Sequence, residues 1–339
     1  MSDRLSESAA SRRAMLRGLS STGALLALTG CAAMSAVPVP LLDTSEFSGN
    51  PTLLVATNRK PVSGGKESPW FGPERASLSV ARAKLIAPER GRFTLSAVGL
   101  DDWKVEKVDL APRLRDLIPQ APLPRDLLMY VHGYNVTFEY AAVSAAQLSD
   151  EIKFKGETMA FAWPSKGSLF DYGYDRESAM WSRDALEQVF ARLIENPNVG
   201  RIHIVAHSIG TMVTMEALRQ SYVARGIPLI QRLGAVVFAA PDIDMDVFKS
   251  TVARVRPLAS KITIVAATND RALAVSGWIA GGITRVGAAD KEELKRLGLR
   301  VIDASQEGWG VINHDLFLSN ANVRQVIRRA IDGQPMDGA

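Results

Sequence analysis

Short, uninterrupted apolar runs that alternate with segments of helical periodicity most constrain how this chain can fold. Apolar runs of about four to eight residues are typical of strands buried on both faces of a parallel sheet. Eight such runs predict strands that begin at Thr52, Arg92, Leu127, Glu157, Ile202, Gly234, Lys261 and Leu299. Apolar residues at helical spacing predict helices that include residues 138–146, 183–195 and 322–331. The alternation predicts one α/β domain over residues 51–335, with a mostly parallel eight-stranded sheet flanked by helices.

The segment RIHIVAHSIGTMVTMEAL, residues 201–218, turns directly from a predicted strand into a helical pattern at Ser208. A serine on such a tight turn projects its hydroxyl above the sheet. Ala206 and Gly210 flank Ser208 two residues away on either side, so the nucleophile pattern Gly-x-Ser-x-Gly is met with alanine as its first member. A helix-capping role explains a serine after a strand, but not the remaining features. The pattern therefore predicts Ser208 as a nucleophile.

The general base that such a serine needs is sought among the four histidines of the chain. His203 lies inside a predicted strand and His207 adjoins Ser208. Both are interpreted as structural, because sequence neighbours on a turn seldom align as base and nucleophile. His314, in GWGVINHDLF, follows the last predicted strand and precedes the final helix, where a catalytic histidine is expected. His314 is the predicted base, with an exposed loop histidine as the alternative.

Two main-chain N–H groups are predicted to form the oxyanion hole. The fourth histidine, His132, ends a predicted strand in VHGYN. A His-Gly pair at that position is typical of the loop that donates the second oxyanion N–H, so His132 and Gly133 are predicted to shape the loop. The predicted donors are the N–H of Tyr134 and the N–H of Ile209, directly after the serine.

The acid of the triad has more than one candidate. Asp270 ends ITIVAATND after the seventh predicted strand, whereas Asp242 and Asp244 follow the sixth in FAAPDID. A carboxylate from either place fits the chain order serine, acid, histidine. Asp270 is preferred, and Asp242 and Asp244 stay open as alternatives. Asp315 adjoins His314 and is interpreted as a surface residue or as part of the start of the last helix.

Six segments together resemble a bacterial α/β-hydrolase family of unknown function: LLMYVHGYN, FAWPSKG, HIVAHSIGTM, FAAPDID, AATNDRAL and NHDLF. The resemblance covers about residues 50–320. It implies the α/β-hydrolase fold and a Ser-Asp-His triad on Ser208, Asp270 and His314. It implies no particular substrate.

The N-terminal segment SRRAMLRGLSSTGALLALTGC joins an arginine pair, a short apolar run and a cysteine, an order typical of an export signal. Arg12 and Arg13 resemble the twin-arginine consensus, and residues 28–31 resemble a bacterial lipobox. The apolar run, residues 18–28, is shorter than the roughly 20 residues that cross a bilayer as a helix. Residues 1–30 are therefore predicted to be an export signal, and residues 31–50 an extended tether.

Cys31 is the only cysteine, so it can form no intramolecular disulfide. Its predicted role is acylation, which would anchor the protein in the membrane on the periplasmic side of the cell envelope. The alternative is an ordinary signal peptide in which Cys31 is incidental.

Composition argues against several other classes. The formal net charge is only +4, and no dense Lys/Arg block is present, so nucleic-acid binding is not expected. No His, Cys, Asp or Glu cluster has metal-ligand spacing and no phosphate-binding glycine loop is present, so no metal and no cofactor are expected. The oligomeric state is left open.

The segment FAWPSKGSLFDYGYDRESAMWSRD concentrates aromatic residues after the fourth predicted strand. Tyr172 and Trp181 could either line a substrate pocket or pack in the core. Asp175 is interpreted as a cap of the next helix. The glycine-rich segment 277–287 lacks nucleotide-loop spacing and is interpreted as a mobile loop.

These features lead to a first hypothesis of an envelope-tethered serine esterase or lipase-like hydrolase that acts on a small-molecule or lipid ester. A second hypothesis keeps the triad but transfers the acyl group to an alcohol or amine. A third is a non-catalytic lipoprotein that uses the fold as a binding scaffold.

Overall fold

The structure, a computed structural model of the 339-residue chain, describes residues 52–62, 68–87, 103–118, 122–168, 171–266, 273, 276–277, 282, 284–305 and 320–334. The predicted export signal and tether lie outside the described residues, as do Cys31, Asp270, His314 and the strand predicted at Arg92. Within these ranges, no helix combines the length and apolar character needed to span a membrane.

Nine strands form one sheet in the described part of the chain, in the order β3-β2-β1-β5-β4-β6-β7-β8-β9. Strands β1 and β4 to β9 run parallel, while β2 is antiparallel to both β1 and β3. Their bounds are Thr52–Pro61 (β1), Phe71–Ile86 (β2), Lys104–Ala111 (β3), Arg125–Val131 (β4), Glu157–Ala162 (β5), Val199–His207 (β6), Leu233–Ala239 (β7), Ile262–Ala266 (β8) and Arg300–Asp303 (β9).

Seven of the eight predicted strands are confirmed, as β1 and β4 to β9. The predicted count of eight is wrong, because β2 and β3 form an additional antiparallel pair at one edge of the sheet. Strand β2 has no buried residue from Gly72 to Ser79 and alternates buried with more exposed positions only from Ala81 on, and β3 has no buried residue. Edge strands with one solvated face carry polar residues, so they lack the apolar runs by which the other strands were predicted.

Helices cover both faces of the sheet. Their bounds are Phe138–Glu151 (α1), Tyr172–Glu195 (α2), Ile209–Arg225 (α3), Ile227–Arg232 (α4), Met245–Arg254 (α5), Lys291–Arg296 (α6) and Ala321–Asp332 (α7), with 3₁₀ turns at Leu114–Asp116, Arg256–Lys261 and Val286–Ala288. The three predicted helical segments lie within α1, α2 and α7, as expected.

The core has two layers, one on each face of the sheet. Alternate residues of β4 divide between them: Met129 belongs to the layer that holds buried residues of α2 to α6, and Tyr130 to the layer that holds those of α1 and α7. This division follows from the period of two along a strand.

The carboxyl ends of β4, β5, β6 and β7 lie side by side at one end of the sheet. Val131 is in register with both Phe161 and Ala206, and His207 is in register with Ala239. The loops that follow these strands therefore start side by side, as is usual for ligand sites of open α/β sheets.

Candidate active site

Ser208 occupies a strained turn between β6 and α3. Its backbone has φ 51° and ψ −126°, a region that costs a non-glycine residue about 1–3 kcal/mol. Surrounding main-chain bonds hold it there: its N–H donates to Ala239 O at 3.0 Å, and its carbonyl accepts from Thr211 N at 3.0 Å and Asp242 N at 3.3 Å. Although Ser208 stands at the N-cap position of α3, its side chain makes no capping bond. The hydroxyl therefore does not act as a cap of α3.

Two glycines allow the loop after β4 to approach this turn. A Cβ atom on Gly210 would overlap the main-chain carbonyl of His132. A Cβ atom on Gly133 would lie 2.9 Å from Ser208 Cβ and 2.9 Å from His207 Nδ1. Real Cβ atoms do not tolerate such distances, so the His-Gly loop and the serine turn touch through their backbones.

His132 is enclosed in the protein. Its Nδ1 lies 2.8 Å from Gly133 O, its Nε2 lies 3.0 Å from Trp163 O, and its ring stacks on Trp163 with centroids 4.6 Å apart. Trp163 Nε1 donates in turn to His132 O at 2.8 Å. Burial, with a smaller contribution from the nearby charge of Arg59, lowers the pKa of His132 to about 3. His132 is thus neutral at ordinary pH, and its ring braces the start of the loop.

The two predicted oxyanion donors flank the serine turn. Ile209 is the first residue of α3, and the first N–H groups of a helix have no acceptor within the helix. Tyr134 follows Gly133, and its hydroxyl donates to Ser168 O at 3.1 Å. The ring of Tyr134 meets that of Tyr172 edge-on, with centroids 5.5 Å apart. The loop that carries Tyr134 and the helix that starts at Ile209 therefore both begin at the carboxyl ends of the strands, where Ser208 lies.

Asp175 does not cap a helix, so its interpretation as a cap is wrong. The N-cap of α2 is Asp171, and Asp175 lies one turn inside the helix, fully buried. Its Oδ2 accepts from Ser165 Oγ at 2.5 Å and from Asn135 N at 3.0 Å, and its Oδ1 accepts from Lys166 N at 2.8 Å. Burial raises the pKa of Asp175, while these hydrogen bonds act in the opposite direction.

Arg59, near the carboxyl end of β1, is a buried cation that the predicted triad and oxyanion hole do not include. Its Nη2 donates to Val136 O at 2.6 Å, and its Nη1 donates to Ser165 O at 3.0 Å. Burial lowers the pKa of Arg59 to about 10, and the charge of Asp175 partly offsets this. An arginine at the end of an apolar strand, in TLLVATNRK, was the available signal.

On the other side of Ser208, Asp242 forms a buried ion pair. Its Oδ1 lies 3.0 Å from Arg285 Nε and accepts from Ser276 Oγ at 2.6 Å, and its Oδ2 accepts from Tyr172 OH at 3.0 Å. Burial, together with the charge of Asp242, raises the pKa of Tyr172. Both oxygens of Asp242 thus have partners.

Asp244, the other alternative acid, caps α5 and accepts from Asp246 N and Val247 N. The preferred acid, Asp270, and the preferred base, His314, lie outside the described residues. Both stay predictions.

The two remaining histidines have distinct settings. His203 is buried within β6, where its Nδ1 accepts from Ala235 N at 3.1 Å, and burial lowers its pKa. His207 ends β6, buried against Gly133.

Trp181 is 44% exposed on α2, whereas Tyr172 lies beside Asp242 at the strand ends. The ranges that the structure describes contain no group of three or more His, Cys, Asp or Glu side chains suited to a metal ion.

Comparison with known protein families gives a match over residues 115–330 to the family described as alpha/beta hydrolase of unknown function (DUF900). A curated protein of Nostoc sp., named "Uncharacterized protein alr1448", is 26% identical over 122 aligned residues. The match covers 28% of this chain and 32% of that protein, so the chain spans about a third of the length of this relative.

Solved structures give more distant likenesses. The catalytic core domain of acetyl xylan esterase from Trichoderma reesei is 14% identical with a TM-score of 0.38, covering 62% of this chain and 99% of that one. Est1E from Butyrivibrio proteoclasticus is 13% identical with a TM-score of 0.41, covering 76% and 95%. An esterase from Pyrobaculum calidifontis is 11% identical with a TM-score of 0.36, covering 77% and 82%. All three TM-scores are below 0.5, and the assignment to a family comes from the family match alone.

Proposed function

Because the chain belongs to the family described as alpha/beta hydrolase of unknown function (DUF900), we propose that it is a serine hydrolase that cleaves esters through Ser208. The observation that carries the proposal is the backbone of Ser208, which is held at positive φ directly before a helix while its side chain makes no capping bond. Backbone strain of this kind persists only where neighbours over-determine it, and it is the geometry of a nucleophile on a strand-to-helix turn.

In the proposed reaction, Ser208 Oγ attacks the ester carbonyl carbon while His314 accepts the hydroxyl proton and Asp270 orients the imidazole. The N–H groups of Tyr134 and Ile209 stabilise the resulting oxyanion. The bond to the leaving alcohol then breaks, and His314 returns the proton to that alcohol. Water attacks the acyl-serine by the same steps and releases the acid.

The proposed substrate is a small-molecule or lipid ester. Tyr134 and Tyr172 support this choice, because Tyr134 follows Gly133, which touches Ser208, and the two rings pair edge-on while both hydroxyls are engaged by protein groups.

A fluorophosphonate probe and p-nitrophenyl acetate hydrolysis test the proposal. The full-length protein should be labelled and should hydrolyse the ester, and Ser208→Ala should abolish labelling and lower kcat by at least about 10⁴-fold. Ser221→Ala is the matched control, since Ser221 is a buried serine on the same helix. An unlabelled wild type, or equal labelling of Ser208→Ala, would refute the proposal. Release of free acid without added alcohol or amine separates hydrolysis from acyl transfer.

We also propose that the protein is exported and anchored in the envelope membrane through acylated Cys31, on the support of the twin-arginine and lipobox patterns. Cys31→Ser should shift the protein from the membrane fraction to the soluble fraction. Membrane retention of Cys31→Ser equal to that of the wild type would contradict the anchor.

A further inference from the structure

We propose that Asp175, Ser165 and Arg59 are positioning residues that hold the loop after β4 so that the N–H of Tyr134 faces the oxyanion formed at Ser208. This inference rests on the proposed serine hydrolase function, and it assigns a catalytic purpose to a buried polar cluster that the triad does not use. The loop comprises residues 132–137, between β4 and the first residue of α1, and residues 133–137 are the part of it that follows His132.

Side chains from three separate elements bind the main chain of this loop. Asp175, on α2, accepts from the N–H of Asn135 at 3.0 Å. Ser165, which follows β5, accepts from the N–H of Val136 at 3.0 Å. Arg59, on β1, donates to the carbonyl of the same Val136 at 2.6 Å. The N–H of Asn135 and both the N–H and the carbonyl of Val136 are therefore bound by side chains that are distant in sequence.

The three side chains also hold one another. Ser165 Oγ donates to Asp175 Oδ2 at 2.5 Å, while Ser165 O accepts from Arg59 Nη1 at 3.0 Å. Ser165 thus joins the carboxylate to the guanidinium through its side chain and its main chain. Since Asp175, Ser165 and Arg59 are all at most 1% exposed, water does not compete freely for these bonds.

Tyr134 lies between two fixed points. On one side, Gly133 touches Ser208 and its carbonyl is 2.8 Å from His132 Nδ1. On the other side, Asn135 adopts φ 59°, a left-handed conformation that Asp175 holds through the N–H of Asn135. With both neighbours held, the direction of the Tyr134 N–H is set before any substrate arrives.

Such preorganisation has a large catalytic value. Loss of a single oxyanion donor typically lowers turnover by about 10²–10³-fold, and a displacement of about 1 Å can cost about 10²-fold. A group that only orients a donor should contribute a part of that factor. It should act on kcat rather than on KM, because the oxyanion exists only in the transition state and the intermediate.

A pair of serine variants tests the proposal in the full-length protein. Ser165→Ala removes a buried hydroxyl that contacts the loop, whereas Ser182→Ala removes a buried hydroxyl of α2 that accepts from Asn58 Nδ2 and donates to Ser178 O. We expect Ser165→Ala to lower kcat for p-nitrophenyl acetate by about 10–100-fold with KM within about twofold. Ser182→Ala should leave both parameters within about twofold. Kinetics are normalised to active sites titrated to completion with a fluorophosphonate.

Peptide-resolved amide hydrogen exchange is the second measurement, and it requires no activity. Residues 133–137 should exchange faster in Ser165→Ala than in Ser182→Ala, because only the first variant frees the N–H of Val136. Asp175→Asn is a second variant in case Ser165→Ala fails to fold. It keeps the side-chain volume but weakens the acceptor of the Asn135 N–H, and should lower kcat by at least about 10-fold.

The outcomes separate the two proposals. If the wild type hydrolyses the ester and Ser165→Ala keeps kcat within twofold of Ser182→Ala, the positioning role is wrong and the serine hydrolase stands. If the wild type is inactive and unlabelled, the serine hydrolase and the catalytic purpose of the cluster both fail, and the exchange data alone decide whether the cluster holds the loop. Unchanged exchange at residues 133–137 overturns the proposal in every case.

Discussion

Two buried couples of one arginine and one aspartate lie on opposite sides of Ser208. On the β4 side, Arg59 and Asp175 both bind main-chain groups of the loop after β4, and Ser165 stands between them. On the β7 side, Arg285 and Asp242 bind each other directly, at 3.0 Å between Nε and Oδ1. The same pair of residue types therefore does different work on the two sides.

The difference shows two ways of keeping charges in a protein interior. The β7 couple neutralises its charges by direct contact, so it joins the strand end to the segment that carries Arg285. The β4 couple directs its charges to peptide groups, which strengthens the hydrogen bonds that shape a loop. A buried ion pair depends mainly on its partner, whereas a charge bound to main chain depends on the backbone that it holds.

The largest expected effect comes from removing each arginine. Arg285→Met should lower the free energy of unfolding by about 3–5 kcal/mol, because it leaves a buried carboxylate without its cation. Asp242→Asn in the same protein should recover at least about 1.5 kcal/mol, since no uncompensated charge is then left. Urea unfolding of the single and double variants measures both quantities.

Arg59→Met should lower the free energy of unfolding by a similar amount. Adding Asp175→Asn to Arg59→Met, however, should recover less than about 1 kcal/mol. The carbonyls of Val136 and Ser165 lose their donor in either background, and an unpaired buried acceptor costs about 1–3 kcal/mol. If Asp175→Asn recovered as much stability in Arg59→Met as Asp242→Asn recovers in Arg285→Met, the contrast between the two couples would be contradicted.

The second effect is a pH dependence on the β4 side. The pKa of His132 is lowered to about 3 by burial and by the charges of Arg59 and His207. His132 therefore binds a proton near pH 6.5 in the unfolded chain but only near pH 3 in the folded protein. A lowered folded pKa gives stability that is present above pH 6.5 and lost as pH falls, by about 1.4 kcal/mol per pH unit until about pH 3.

Between pH 6.5 and pH 5, His132 should therefore account for about 2 kcal/mol of lost stability. His203, whose pKa is also lowered, adds to the loss in the wild type. Denaturant unfolding of His132→Gln at both pH values isolates the first contribution, because that variant keeps His203. A pH dependence that persists undiminished in His132→Gln would be inconsistent with a buried, neutral His132.

How much of the fold the sequence predicts depends on how each element is buried. Strands β1 and β4 to β8 are covered on both faces, and their apolar runs predict them directly. Strands β2 and β3 pair with each other at the sheet edge, where partial exposure replaces such runs with mixed sequences. Local pattern therefore predicts the centre of the sheet and not this edge.

In the candidate site, likewise, the sequence predicts contacts between short local patterns but not contacts between residues far apart in the chain. Ser208 and Gly133 belong to short local patterns, and the structure places them in contact. Arg59 binds Val136 across 77 positions of the chain, and Asp175 binds Asn135 across 40. No spacing rule connects residues so far apart. Local sequence indicates only local partners and so favours a capping role for Asp175, whereas its partners come from two other loops.

The smallest expected effect distinguishes Asp244 from its neighbour Asp242 on the β7 side. Asp244 accepts from Asp246 N at 3.0 Å and Val247 N at 2.9 Å, and it caps α5. Asp244→Ala should lower the free energy of unfolding by about 1 kcal/mol, the usual cost of losing a cap, and leave kcat unchanged. Asp244→Asn should restore most of the stability, since asparagine caps as well as aspartate does. A loss of kcat in Asp244→Ala with the stability retained would assign Asp244 a role beyond capping, and would favour it over Asp270 as the triad acid.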